Sequence, residues 1–135
     1  MKSIIAVNNL GFIGLKGGIP WKCKEDMQHF AKLTKQGKNE TSQLLVGYNT
    51  SLTLPTLKDR FVNVAPRKNL ELSIKDFNLI DWCIGGKNTY ERFCHLFTEL
   101  HISHIDDNTI GDCLFPDFTN LNENCRIINY QFKTN

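Results

Sequence analysis

Three short apolar runs, Ser3-Ile4-Ile5-Ala6-Val7, Gln43-Leu44-Leu45-Val46-Gly47 and Asp81-Trp82-Cys83-Ile84-Gly85-Gly86, set the narrowest limit on what this chain can fold into. Unbroken runs of this length suit strands covered on both faces better than strands half open to water. Glycines stand at two of the three exits, and amphipathic stretches alternate with the runs. With no repeat of fixed period, the pattern predicts one α/β sheet with ligand sites at the carboxyl ends of its strands.

At 135 residues the chain fits a single domain, 1–135, with room for one core and not for two. A net charge of +2 and the lack of any dense basic run argue against nucleic acid as the partner. No stretch reaches membrane-spanning length, and the first apolar run breaks at Asn8-Asn9, too early for a signal-peptide core. Five cysteines without a C-x-x-C pair suit a reducing compartment, so cytoplasmic placement is expected. His101 and His104 precede Asp106 and Asp107, but strand residues three apart point to opposite faces, and no metal site is expected.

The chemistry-bearing stretch is Ile19-Pro20-Trp21 through Phe30. A helix from Lys24 to near Gly37 puts Cys23, Asp26, Met27, Phe30, Leu33 and Thr34 on one side, apolar except for Asp26. A carboxylate on an apolar stripe needs specific partners or a shifted pKa, as catalytic and ligand-binding acids often have; favouring the positive helix end is the plainer alternative. Before it, Asn8 to Pro20 holds four glycines in thirteen residues, too irregular for an element and too apolar for a linker, and reads as a lid. Asn49 or Thr50 is expected to cap a short helix beyond Gly47. Gly85-Gly86 lies between a strand and a helix carrying Tyr90, Phe93, Cys94 and Phe97 on one face, which suits a ligand close to the backbone and an anion at the helix start. Arg60 to Ala65 and Glu99 to Ile105 read as strands, Leu70 to Leu72 as a short one, and Arg126 to Phe132 as an edge strand.

Together these blocks resemble dihydrofolate reductase: Ile4-Ile5-Ala6-Val7 with Ile13-Gly14, Ile19-Pro20-Trp21 with Asp26 and Phe30, Ile84-Gly85-Gly86-Lys87-Asn88-Thr89-Tyr90, and Ser103-His104-Ile105-Asp106 through Gly111-Asp112 to Phe115-Pro116. The resemblance covers nearly the whole chain and is poorest between Pro66 and Leu79 and after Phe118. It implies a mostly parallel central sheet flanked by helices, with a shortened C-terminal hairpin, and hydride transfer from NADPH to dihydrofolate. Asp26, with Trp21 and Ser103, is the implied catalytic group, the acid binding the pterin 2-amino group and N3 while water carries the proton to N5. Ile5, Met27, Phe30, Leu54, Ile84 and Tyr90 are the implied substrate walls, and Arg60 the partner of the substrate's α-carboxylate. Val7, Ile13 and Gly14 would border the nicotinamide. Tyr48, Asn49 and Thr50, and Gly85, Gly86, Lys87, Asn88 and Thr89, would hold the cofactor's phosphates, with a cis peptide at Gly85–Gly86. Antifolates such as methotrexate or trimethoprim are implied ligands.

Three departures accompany the match. Tyr48 stands where the family carries a basic residue, which leaves Arg67 or Lys68 to anchor the adenosine 2′-phosphate. The segment from Pro66 to Leu79 is short. The final hairpin strand is missing, which would expose a sheet edge; a monomer is expected, with a dimer through that edge as the other arrangement. Two other functions stay open: a folate- or nucleotide-binding protein with a structural or regulatory role, and a related pteridine or riboflavin-pathway reductase. The first would not need Asp26, Trp21, Arg60 and Ser103 in register; the second would not carry the Pro-Trp and acid constellation.

Overall fold

The computed structural model describes residues 1–65 and 74–134, apart from the side chains of 74–76. In chain order the elements are β1 (Lys2–Asn8), β2 (Phe12–Gly14), α1 (Lys24–Thr34), β3 (Ser42–Val46), α2 (Tyr48–Ser51), β4 (Arg60–Val64), α3 (Ile74–Leu79), β5 (Trp82–Cys83), α4 (Lys87–Phe93), β6 (Glu99–Asp106), β7 (Cys113–Leu114) and β8 (Arg126–Lys133). Six strands form one sheet in the order β4-β3-β5-β1-β6-β8, every neighbouring pair parallel. The apolar runs occupy its centre, where Leu44, Leu45, Val46 and Cys83 are wholly buried. β4 and β8 form the edges, and β8 alternates exposed with half-buried residues as an edge strand should.

Strand alternation splits the core. Odd residues of β1, Ile5 and Val7, pack with Leu45, Tyr90, Phe93, Phe97 and Leu100 on one face. Ile4 joins Leu44, Trp82, Phe30 and Leu33 under α1 on the other. Further along, Trp21 and Cys23 at the start of α1 close over Ile105, Ala6 and Phe132. From β1 the chain runs outward to β3 and β4, returns through β5, and then crosses to β6 and β8. The β1/β5 boundary is thus the reversal point, where open parallel sheets place their ligand crevice.

The structure corrects three local expectations. α1 stops at Thr34 rather than near Gly37, because Lys35 N donates to Ala31 O and Gln36 N to Leu33 O, closing the last turn. α2 is capped at Gly47, not at Asn49 or Thr50, which lie inside it. The lid contains a strand: β2 pairs antiparallel with β7, a contact between segments about a hundred residues apart that no local pattern in three residues could show. Leu70 to Leu72, together with Arg67 and Lys68, lies outside the described residues.

Behind the site, the buried Asp81 carboxylate accepts from Lys38 N (3.0 Å) and Gln43 N (2.8 Å), tying the turn before β3 to the start of β5. Asp81→Ala leaves two backbone donors without partners and is expected to cost about 3 kcal/mol in urea unfolding.

Candidate active site

The carboxyl ends of β1, β3, β5 and β6 meet α1, the starts of α2 and α4, and the loop from Asn8 to Trp21. Asp26 lies in the first turn of α1 and is buried, 8% exposed. Burial pushes its carboxyl above the ordinary value of 3.8, while the Ser103 hydroxyl and the charge of His29 pull it back. Ser103 is also buried on β6, and its Oγ has no hydrogen-bond partner. The hydroxyl is thus near enough to favour the charged carboxylate, yet no bond of ordinary geometry joins them. An orphaned hydroxyl beside a costly carboxylate is an unfinished polar network on the cleft wall.

Beside this pair, Phe30 and Ile84 share a cluster with Leu33 and Leu57. Met27, expected in the apolar stripe, is 67% exposed on the helix flank instead. It lies next to Asp26 along the chain, and one position turns a helical side chain by about 100° from the buried line. Leu54 is half-buried just beyond α2. Arg60, at the start of β4, reaches α1: Nη1 donates to Thr34 Oγ1 (3.1 Å), Nε to Lys58 O (2.9 Å), and the guanidinium lies 6.0 Å from the Phe30 ring centre. Two anchors and an aromatic neighbour hold its fork beside α1.

Ile5 packs with Val7, Ile13 and Tyr90, on the sheet face opposite Phe30. Tyr90 Oη donates to Ile4 O (2.6 Å), and its ring packs so close to Gly85 that a Cβ there would lie 3.1 Å from it. Burial drives its hydroxyl well above the ordinary tyrosine value, and that of the Cys83 thiol up to about 12, so neither ionises near neutrality.

The starts of α2 and α4 abut. Gly47 N donates to Gly85 O (2.7 Å), and the Gly85–Gly86 peptide is cis. A Cβ on Gly47 would run into Thr89 Oγ1, and one on Gly86 would lie 2.8 Å from Thr50 Oγ1. Both N-caps are glycines, without side-chain capping bonds. The result is a narrow cradle lined by two threonine hydroxyls and two helix starts, the chemistry that suits a phosphate diester. Tyr48, Asn49, Lys87 and Asn88 lie in the first turns of those two helices.

The lid is fastened at both ends. At its base Asn8 Oδ1 accepts from Leu10 N and Phe12 N, while Asn8 Nδ2 donates to Thr109 O (2.7 Å). Lys16 N donates to Asp112 Oδ2 (3.0 Å), and Asp112 N donates to Gly14 O (3.0 Å). At its tip Thr53 Oγ1 donates to Gly17 O (2.7 Å), bridging to the α2 side. Nothing local in the sequence marks Thr53 or Asp112 for these contacts; for Asn8 the one local signal is an asparagine at a strand exit. Among the described residues no cluster of His, Cys, Asp or Glu could hold a metal, and no helix is long and apolar enough to cross a membrane.

A parallel sheet with a lidded crevice at its reversal point, one buried acid on one side and a glycine-lined cradle on the other, defines an α/β protein built to hold a nucleotide against a second, smaller ligand. No model of a known protein family matches the chain. Its relatives are nevertheless consistent. A putative dihydrofolate reductase of Caenorhabditis elegans is 33% identical over 141 residues, covering 83% of this chain and 75% of the relative. Dihydrofolate reductase of Drosophila melanogaster is 29% identical (84% and 77% covered), and dihydrofolate reductase type 9 of Escherichia coli 25% identical (83% and 73%). Among solved structures, dihydrofolate reductase from Enterococcus faecalis complexed with NADP(H) and RAB-propyl superposes with a TM-score of 0.70 at 19% identity, over 87% of this chain and 77% of that one. The chain belongs to the dihydrofolate reductase family.

Proposed function

We propose that the protein reduces 7,8-dihydrofolate to tetrahydrofolate, with NADPH as the reductant. The observation that carries this reading is Asp26: a buried carboxyl raised by desolvation, facing the unpartnered Ser103 hydroxyl beside an apolar wall. Donors on a pterin, its 2-amino group and N3, would complete that network. The charged carboxylate then favours a protonated pterin, and water at the crevice mouth delivers the proton to N5. Phe30 and Ile84 flank the rings, with Met27 and Leu54 at the rim, and Trp21 packs the start of α1 onto β6 so that Asp26 stays in place.

NADPH, when bound, supplies the hydride that reaches C6. Gly47, Gly86, Thr50 and Thr89 form the cradle that fits its phosphates, with Tyr48, Asn49, Lys87 and Asn88 in the adjoining helix turns; Gly85 and Tyr90 support the crevice floor, and Val7, Ile13 and Gly14 border the nicotinamide. The lid from Gly11 to Trp21 excludes water from that contact. Arg67 or Lys68 remains the proposed anchor of the 2′-phosphate.

The test is oxidation of reduced nicotinamide by the purified protein with dihydrofolate, repeated with NADH and with methotrexate. Oxidation blocked by methotrexate supports the reading, and the ratio of NADPH to NADH turnover reports on the 2′-phosphate anchor. A folded sample that binds methotrexate but oxidises nothing would make the protein a binding module. In an active enzyme, Arg60→Lys is expected to raise KM for dihydrofolate about 10- to 100-fold with a smaller change in kcat, since the ammonium keeps the charge and loses the fork. An unchanged KM would remove Arg60 from the substrate site.

A further inference from the structure

One polar chain behind the crevice is not absorbed by the reaction above. His29 lies three residues after Asp26 on α1, one helical turn along the same side. Its ring centre is 4.1 Å from that of Tyr130 and 5.4 Å from that of Phe132, both on β8. The Nε2 atom of His29 is buried and has no hydrogen-bond partner. The nearby Tyr130 hydroxyl is already engaged, 2.8 Å from His101 Nδ1, and His101 Nε2 lies 2.9 Å from Glu99 Oε1. A buried nitrogen left without a partner next to a buried carboxyl needs a physical reason.

We propose that His29 is a positioning residue acting through Asp26: as the solution acidifies, the buried Nε2 of His29 takes up the first proton, and the imidazolium so formed keeps the neighbouring carboxyl ionised. The carboxylate therefore retains its charge to lower pH than its burial alone would allow.

The groups facing His29 divide over this step. Among α1 residues Asp26 favours the proton and Lys32 opposes it; from β6, His101 opposes it and is itself bonded to Glu99; from β8, the Tyr130 ring lies against it at a tilt of 57°, within the range at which an aromatic ring attracts a cation. Burial lowers the basicity of His29 and raises that of Asp26, while the charge of each favours the charged form of the other. Which of them is protonated first is then decided by their mutual charge and by the ring beside them. β8 thus reaches the acid through one contact, although it lies two strands away from the crevice at the reversal point.

The coupling is tested by an NMR titration that follows the Asp26 carboxyl carbon and the His29 ring nitrogens, which does not depend on turnover. In the unsubstituted protein His29 is expected to take up its proton at higher pH than Asp26; the reverse order overturns the proposal, even if no variant folds. In His29→Phe, which keeps the ring against Tyr130, the Asp26 midpoint is expected to rise by about one pH unit. In His29→Arg, with a permanent charge, it is expected to fall to the unsubstituted value or below. Equal midpoints in all three would reduce His29 to packing. The consequence for catalysis rests on the reductase reading: the acid limb of the single-turnover hydride-transfer rate should move with the same signs. An active enzyme whose limb ignores both substitutions counts against the proposal alone, whereas an inactive protein with coupled titrations counts against the reductase reading alone.

Discussion

Asp26→Asn is expected to lower hydride transfer to dihydrofolate at pH 7 by about a hundredfold or more, and to melt at a higher temperature than the unsubstituted protein. The rate falls because the amide cannot supply the negative charge that favours a protonated pterin, although it still fills the same space opposite Ser103. The stability gain follows from the raised pKa of the folded carboxyl. A carboxyl whose pKa is higher folded than unfolded contributes stability below the unfolded value, near 3.8, and loses it as pH rises through the folded value. At neutral pH that contribution is gone and the buried charge is a net cost, which asparagine removes. Thermal melts at pH 7 and at pH 3 check the sign: the variant's advantage should shrink at the lower pH, where Asp26 is itself neutral. Undiminished single-turnover rates in a folded Asp26→Asn protein would overturn the role given to the acid.

Gly111→Ala is expected to slow hydride transfer by about ten- to a hundredfold and to destabilise the fold by about 1–3 kcal/mol. A Cβ at position 111 would collide with the carbonyl oxygen of Gly14 and lie 3.0 Å from Phe12 Cβ. The first obstacle is backbone, which cannot swing aside as a side-chain tip can. Either β2 or the loop carrying Asp112 has to move, and the bonds from Lys16 N to Asp112 and from Asp112 N to Gly14 O go with it. Stopped-flow traces separate the two effects, since a loss of stability alone leaves the rate per folded molecule unchanged. A folded variant with a normal hydride-transfer rate would show that the seating of the lid does not govern the chemical step.

Much of the site was legible in the chain because its signals are local. An acid on an apolar helical stripe, a glycine pair between strand and helix, and apolar runs closed by turns each report a physical demand within a few residues. Asp26, Gly85, Gly86 and Tyr90 all stand where those demands put them, and the three runs became the parallel strands β1, β3 and β5. Local reasoning failed where pairing is distant. β2 is three residues long and exists only because β7 lies beside it; Thr53 meets Gly17, and Lys16 meets Asp112, only after the sheet has brought their loops together. Met27, on the same stripe, is left exposed because a helical stripe is wider than the buried line, and the chain alone does not show which flank a neighbouring element covers.

The sequence by itself determined the class of fold and marked Asp26 as an acid on an apolar stripe, because periodicity and residue type act through backbone geometry and desolvation, which are felt locally; the kind of chemistry came from the family resemblance of its motifs. Only the tertiary structure decided that β8 places Tyr130 against His29, and that Ser103 and His29 are left with buried, unpartnered atoms around one carboxyl. Those features depend on strand order and register, and shifting a strand by one residue turns every side chain to the other face.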